Sequence, residues 1–202
     1  MLCSSVGGQG FLTDNVLTCI HNLCQLKPAN AENQHLLGGS HMQYDIQKSE
    51  IGPILAGADD EGLRYISFLQ GKHPMDIPGS WTRNKKFLKM VFDQIHAYFN
   101  GALTCFDLTL APMGTPFQKA VWTALLGIPY GKIASYGDIA KAIGNPKACR
   151  AVGGANGKNP IPLIIPCHRV IGANGKLVGY GSGLPIKEKL LALESKYYHG
   201  RC

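Results

Sequence analysis

Ser135-Tyr136-Gly137-Asp138-Ile139-Ala140-Lys141-Ala142-Ile143-Gly144-Asn145-Pro146-Lys147-Ala148-Cys149-Arg150-Ala151-Val152-Gly153-Gly154-Ala155 carries two helix patterns in tandem. Ser135 with Asp138 three residues on has the pattern of a capping box, which starts a helix running to about Ile143. Gly144-Asn145-Pro146 breaks that helix, and residues 147–156 start another. Two short helices across a tight Gly-containing break have helix-turn-helix proportions. The second helix is unusual, because Gly-Gly costs it roughly 2 kcal/mol relative to Ala-Ala. Two explanations stand side by side. One is tight helix–helix packing in a core. The other is close approach of a smooth helix, with Arg150 as its bulky polar group, to a large surface such as the minor groove of DNA.

Outward from this pair, Thr115 followed by Pro116 is a good N-cap with proline at the first helical position, opening a helix to about Leu126. Downstream, Gly157-Lys158-Asn159-Pro160-Ile161-Pro162 leads into an apolar run, Ile164–Ile171, that reads as a buried strand. Gly172-Ala173-Asn174-Gly175 reads as a hairpin turn after it, and residues 187–195 form a last helix. Upstream, residues 43–111 have an α+β pattern. Strand-like pieces occur at 52–57, 63–69 and 103–110. Residues 84–99 carry Phe87, Val91, Ile95 and Tyr98 at helical spacing. The expected architecture is α+β in two domains, 42–111 and 112–202, behind residues 1–41. That first segment shows no sustained period and reads as a poorly ordered extension or a start placed too far upstream of Met42. Its removal is expected to leave the chemistry intact.

The bulk numbers bound the function. Hydrophobic residues make up 45% of the 202, and mean hydropathy is −0.02, ordinary for a globular protein. No apolar run approaches the ~20 residues a membrane helix needs. No Lys or Arg precedes Lys27, so the basic region of a secretory signal is missing. Seven cysteines, an odd number, argue against a disulfide framework and for reduced thiols. Charge is uneven. Residues 1–111 hold eight Lys and Arg against ten Asp and Glu, whereas residues 112–202 hold twelve against three. A basic C-terminal half fits either a polyanionic partner or a solvated basic face.

Within that basic half, Pro166-Cys167-His168-Arg169-Val170 places a thiol beside an imidazole. Neighbours in an extended chain point to opposite faces, so His168 can serve Cys167 only if the backbone turns at Pro166. Taken singly, Cys167 and His168 are more often structural, and Glu194 more often a solvated charge. As a set they have a chemical logic. A free thiol is mostly protonated at neutral pH, His168 can accept its proton, and a carboxylate such as Glu194 can orient the imidazole. A cysteine hydrolase uses the same set, so the constellation leaves the substrate open. Asn159 is placed to hold backbone groups of the bend before the cysteine.

The series Asn145-Pro146-Lys147-Ala148, Arg150-Ala151-Val152-Gly153-Gly154, Asn159-Pro160 and Pro166-Cys167-His168-Arg169-Val170 resembles the O6-alkylguanine-DNA alkyltransferases, over about residues 42–202. The resemblance implies a small ribonuclease-H-like N-terminal domain followed by a winged-helix-like domain. It implies stoichiometric, irreversible transfer of an alkyl group from guanine O6 in double-stranded DNA, with O4-alkylthymine as a second target, onto Cys167. By position, His168 resembles the base that ionises Cys167 through a bound water, and Glu194 the carboxylate that completes the relay. Tyr136 resembles the donor to the departing guanine. Arg150 resembles the finger that replaces the flipped nucleotide, on a DNA-binding helix that includes Ala151 and Gly153. Asn159 resembles a hinge, while Pro162, Val170, Tyr180, Gly181 and Lys187 resemble the pocket and its supports. No cofactor is implied.

The expected protein is a monomer with no membrane association, cytoplasmic and nucleoid-associated in a bacterium or nuclear in a eukaryote. Two departures stand out. Where some relatives hold zinc, the early strands offer Tyr44, Asp59 and Arg64. The spacing of Cys3, Cys19, His21 and Cys24 matches no zinc pattern, so no metal is expected. Gly181 stands where some relatives carry a hydroxyl, which bears on pocket size. A sensor of alkylated bases that transfers nothing, and a cysteine hydrolase, are the rival readings.

Overall fold

The structure, a computed structural model, describes residues 41–198; the expectations for residues 1–40, including Cys3, Cys19, His21 and Cys24, lie outside them. Three antiparallel strands open the N-terminal half: β1 (Gln43–Ser49), β2 (Gly52–Asp59) and β3 (Gly62–Phe68). A short β4 (Thr82–Arg83) adds in parallel to β1, giving the order β3-β2-β1-β4. β2 is central, and Ile54, Leu55 and Ala56 within it are fully buried. Gly57 is required here. A side chain at 57 would come within 2.6 Å of the Trp81 ring that lies over the sheet.

Helix α1 (Lys89–Phe99) contributes Val91, Phe92, Ile95, Tyr98 and Phe99 to the core. It begins five residues later than the periodicity of 84–99 suggests, and Phe87 is 40% exposed, outside the buried stripe. Residues 103–110 form no strand. Only Leu110 bridges to Leu63, and Gln94 holds Asp107 through both backbone groups. Side chain-to-backbone bonding of this kind leaves no trace in an apolar alternation.

In the C-terminal half, α2 (Pro116–Leu126) starts at a Thr115 N-cap with a full capping box from Gln118. β5 (Ala134–Ser135) leads into α3 (Tyr136–Ala142), opened by the Ser135–Asp138 box. α4 (Cys149–Gly157) follows, and α5 (Leu184–Tyr197) ends the described chain. The Trp122 indole donates to the Ala155 carbonyl at 3.0 Å and ties α2 to α4.

The apolar run Ile164–Ile171 is buried up to Val170, as expected, but only its last two residues form a strand. Pro166 removes a donor a ladder would need, and just upstream Leu163 adopts φ +80°. Strand β6 is only Val170–Ile171, parallel to β5. The 172–175 turn is present, with Gly175 at φ +76°. No hairpin strand follows it, because residues 176–180 pair with nothing ladder-like.

One core joins the two halves. The outer strand β3 donates from Ile66 N–H to the Pro160 carbonyl at 2.9 Å, and the Ser182 carbonyl accepts from Lys72 N–H at 3.0 Å. Strand β3 and the loop after it thus brace both segments that flank the cysteine.

Candidate active site

Pro166, at φ −81° and ψ 60°, is the centre of an inverse γ-turn, closed by Cys167 N–H donating to the Ile165 carbonyl at 2.8 Å. A single 3₁₀ turn, Cys167–Arg169, follows. This double bend is what lets three consecutive side chains point inward, and all three are buried.

Cys167 is 2% exposed. Asn159 Nδ2 donates to its sulfur at 3.0 Å and to the Ile165 carbonyl at 2.8 Å, while Asn159 Oδ1 accepts from Ile161 N–H. Burial pushes the thiol up to about 11, against the opposing pull of the Asn159 hydrogen bond and the Lys187 charge. Lys187 is itself fully buried, donating to the Val170 carbonyl at 2.6 Å and to the Val178 carbonyl at 3.1 Å. Tyr180 closes over the same spot. Its hydroxyl is buried without a well-formed hydrogen bond among the described residues, and burial together with Cys167 holds its ionisation well above the usual tyrosine range.

His168 makes no direct hydrogen bond to Cys167. Its Nε2 lies 2.9 Å from Glu194 Oε1, and burial lowers its basicity despite that carboxylate. A neutral ring facing a carboxylate carries its proton on Nε2, which leaves Nδ1 as the lone-pair nitrogen. That atom is buried and has no partner among the described residues.

Glu194 is the most heavily hydrogen-bonded group of the site. It accepts from His168, from Arg169 Nε and Nη2, from the Tyr98 hydroxyl at 2.7 Å and from Gly131 N–H at 3.0 Å. Burial alone would raise its pKa, but the His168 hydrogen bond and Arg169 charge outweigh that and hold it well below the carboxylate range. Arg169, Tyr98 and Gly131 escape the sequence reading. Arg169 was visible in the quoted motif, and a buried arginine needs a carboxylate. Tyr98 looked like one more apolar position of a helical stripe.

Beside the thiol lies a cleft of about 270 Å³, open to solvent, whose lining includes Cys167, Asn159, Pro162, Tyr180, Gly181 and Gly157. Gly181 sits close to the end of α4; a Cβ there would lie 3.1 Å from the Gly157 carbonyl. Tyr136, at the start of α3, donates to the Val178 carbonyl at a long 3.2 Å. Burial and then the nearby Cys167 raise its pKa.

On α4 and its C-cap residue, Arg150, Ala151, Gly154, Gly157 and Lys158 are exposed at a spacing that forms one helical face. Gly153 is not on it; its missing side chain would point to the Tyr136 ring, 3.8 Å away. A Cβ on Gly154 or Gly157 would meet nothing within 4 Å. Internal packing therefore does not explain these glycines.

Among the structural supports, Val170 and Pro162 are buried. In the sheet, Asp59 and Arg64 form an ion pair at 2.8 Å, and Arg64 also donates to the Ala111 carbonyl at 2.7 Å. Among the described residues no helix is long and apolar enough to cross a membrane.

The class of protein is thus a two-domain one in which a helix-turn-helix module is followed by a buried cysteine, next to a histidine that a buried carboxylate holds. Residues 42–112 match the family description "6-O-methylguanine DNA methyltransferase, ribonuclease-like domain", and residues 116–196 match "6-O-methylguanine DNA methyltransferase, DNA binding domain". The chain is 60% identical over 153 residues to a methylated-DNA–protein-cysteine methyltransferase of Methanosarcina acetivorans, covering 76% of this chain and 98% of that one. It is 48% identical over 153 residues to a protein of the same name from Mycobacterium tuberculosis, covering 76% and 92%. The crystal structure of Mycobacterium tuberculosis OGT in complex with DNA superposes with a TM-score of 0.72 at 47% identity, over 77% of this chain and 94% of that one. The chain belongs to the 6-O-methylguanine DNA methyltransferase family.

Proposed function

We propose that this chain repairs DNA by moving an alkyl group from guanine O6, or thymine O4, to its own Cys167, once per molecule. One observation carries the reading: the cleft that reaches the buried thiol is also bordered by Gly157 of the bare, basic-ended face of α4. A surface that a groove can approach closely thus adjoins a hole deep enough to reach the sulfur. Domain boundaries at 42–111 and 112–202 fit the same reading.

Guanine O6 is stacked inside the duplex, so the nucleotide must leave the helix to meet a buried thiol. Arg150 and Ala151 approach the minor groove, and the Arg150 side chain fills the place of the flipped base, offsetting the few kcal/mol of unstacking. The thiol proton passes by way of a water to His168 Nδ1, the unpartnered lone pair. Glu194, locked as an anion, stabilises the imidazolium and takes no proton itself. The sulfur forms a bond to the alkyl carbon as the carbon–O6 bond breaks, and the electron pair stays on guanine. Tyr136, whose long hydrogen bond is easily exchanged, donates to the departing base. Asn159 orients the sulfur, Lys187 stabilises its charge, and Tyr180 with Gly181 closes the pocket.

The product is a thioether that no group here can hydrolyse, so the protein is consumed. It acts as a monomer where DNA is, in the nucleoid of a bacterium or in a nucleus. The test is intact-mass measurement after mixing with a methylguanine-containing duplex. The expected result is a permanent gain of one methyl group, absent in Cys167→Ser. An unchanged mass with tight binding would identify a sensor, and repeated turnover of an ester or amide a hydrolase.

A further inference from the structure

Glu194 is also reached from the N-terminal domain. Tyr98, on the last turn of α1, is fully buried, and its hydroxyl donates to Glu194 Oε1, the same oxygen that faces His168 Nε2. The two residues are 96 positions apart in sequence. The phenol ring cannot tilt away: it stacks on Phe106 and meets Phe99 and Tyr130 edge-on. Burial, then the adjacent carboxylate, pushes the Tyr98 hydroxyl well above the usual tyrosine range, so it stays a donor. A rigid neutral donor on Oε1 sets the rotation of the carboxylate. It also takes part of the acceptor capacity that would otherwise hold the imidazole N–H.

We propose that Tyr98 is a positioning residue for alkyl transfer, through which the N-terminal domain completes the base of the C-terminal site. The inference rests on reading Cys167 and His168 as the transfer centre. Tyr98 is not among the residues that line the cleft, and it acts through Glu194 on His168. The charged and titratable groups around that pair are Arg169 and Cys167 on the 3₁₀ turn, Lys187 in α5, and Tyr130 before β5. Tyr98 is the member that the N-terminal domain supplies among the described residues. Without its hydroxyl, Oε1 is left to His168 and Arg169. The carboxylate then draws harder on the imidazole N–H, so His168 becomes more basic while carboxylate and ring lose their fixed orientation.

Tyr98→Phe keeps the ring and its stacking. Tyr130→Phe is the control, since that buried hydroxyl lies in the same aromatic cluster but has no hydrogen-bond partner among the described residues. In the full chain, single-turnover methyl transfer from a methylguanine duplex is measured across pH, and the His168 ring is titrated by NMR. Tyr98→Phe is expected to transfer about tenfold more slowly near neutral pH, the order set by one lost hydrogen bond to a charged group. Its acid limb and the His168 titration both move to higher pH, and Tyr130→Phe matches the wild type throughout. A Tyr98→Phe profile that overlays the wild type overturns the proposal. So does an equal loss in Tyr130→Phe, or a slower rate with His168 titrating as before. If the wild type itself transfers nothing, the reading of the site fails, and the His168 titration still tests the hold of Tyr98 on the relay.

Discussion

Arg169 grips Glu194 with two arms, Nη2 to Oε1 at 2.8 Å and Nε to Oε2 at 3.0 Å, inside a site where both side chains are largely dry. The third arm, Nη1, donates to the Ile128 carbonyl at 2.6 Å. His168, its neighbour in sequence, reaches the same carboxylate only because the 3₁₀ turn brings the two side chains round together. Arginine thus balances the carboxylate's charge, and the imidazole can rest neutral beside it.

Breaking this pair leaves a buried guanidinium unmatched. Glu194→Gln is expected to destabilise the protein by about 3–5 kcal/mol at neutral pH, measured by urea unfolding. The sign with pH follows from the lowered carboxylate. Glu194 contributes stability that is complete above the ordinary carboxylate range and is lost as pH falls through its depressed folded value. The wild type should therefore lose stability faster than the variant on acidification, and curves that stay parallel would contradict this.

Burial raises the Cys167 thiol to about 11, so only on the order of 10⁻⁴ of it is thiolate at pH 7. In the absence of DNA, iodoacetamide should modify Cys167 slowly at neutral pH and about tenfold faster with each pH unit upward. Exposed Cys149 serves as the internal reference. The measurement is the site-resolved rate by peptide mass. A Cys167 rate that has already levelled off below pH 8 would mean a resting thiolate and sink the idea. Loss of the Asn159 amide donor in Asn159→Ala should slow modification further at every pH short of the plateau.

The helical framework around this thiol was legible because its signals are local. Thr115 with Pro116, and Ser135 with Asp138, start helices wherever they occur, and the structure has both caps. The pairing of His168 with Glu194 was recognisable by its chemistry, and the two lie 2.9 Å apart. Tyr98 was not, since nothing about a tyrosine at a helical apolar spacing announces a carboxylate 96 residues away. The strand expected over Ile164–Ile171 shrinks to Val170–Ile171 for a related reason. The run has strand composition, but Pro166 bends it and a 3₁₀ turn, Cys167–Arg169, takes up its middle.

Arg150 is exposed at the start of α4, and its proposed work is to stand in for the flipped nucleotide. Arg150→Ala should therefore reduce transfer from duplex DNA by about a hundredfold, the size of a few kcal/mol of uncompensated unstacking. Transfer from free O6-methylguanine, which needs no flipping, should hardly change. Rates on the two substrates separate this from general damage to the site. Equal losses on both would show that Arg150 supports the pocket instead.

Gly154 and Gly157 give a prediction with opposite signs in two measurements. Each lies in the body or last turn of α4, faces solvent, and has nothing within 4 Å of where a Cβ would stand. Alanine at Gly154 should therefore stabilise the free protein by about 1 kcal/mol through helix propensity, with a smaller gain at Gly157 near the helix end. If the bare face exists to let a DNA groove approach, the same methyl groups stand in the interface. Affinity for duplex DNA should fall while urea stability rises, and transfer from free methylguanine should be kept. Stability rising with DNA affinity unchanged would remove the smooth-face argument and leave these glycines without a role. Stability falling would mean that the helix depends on a backbone freedom its φ angles do not show.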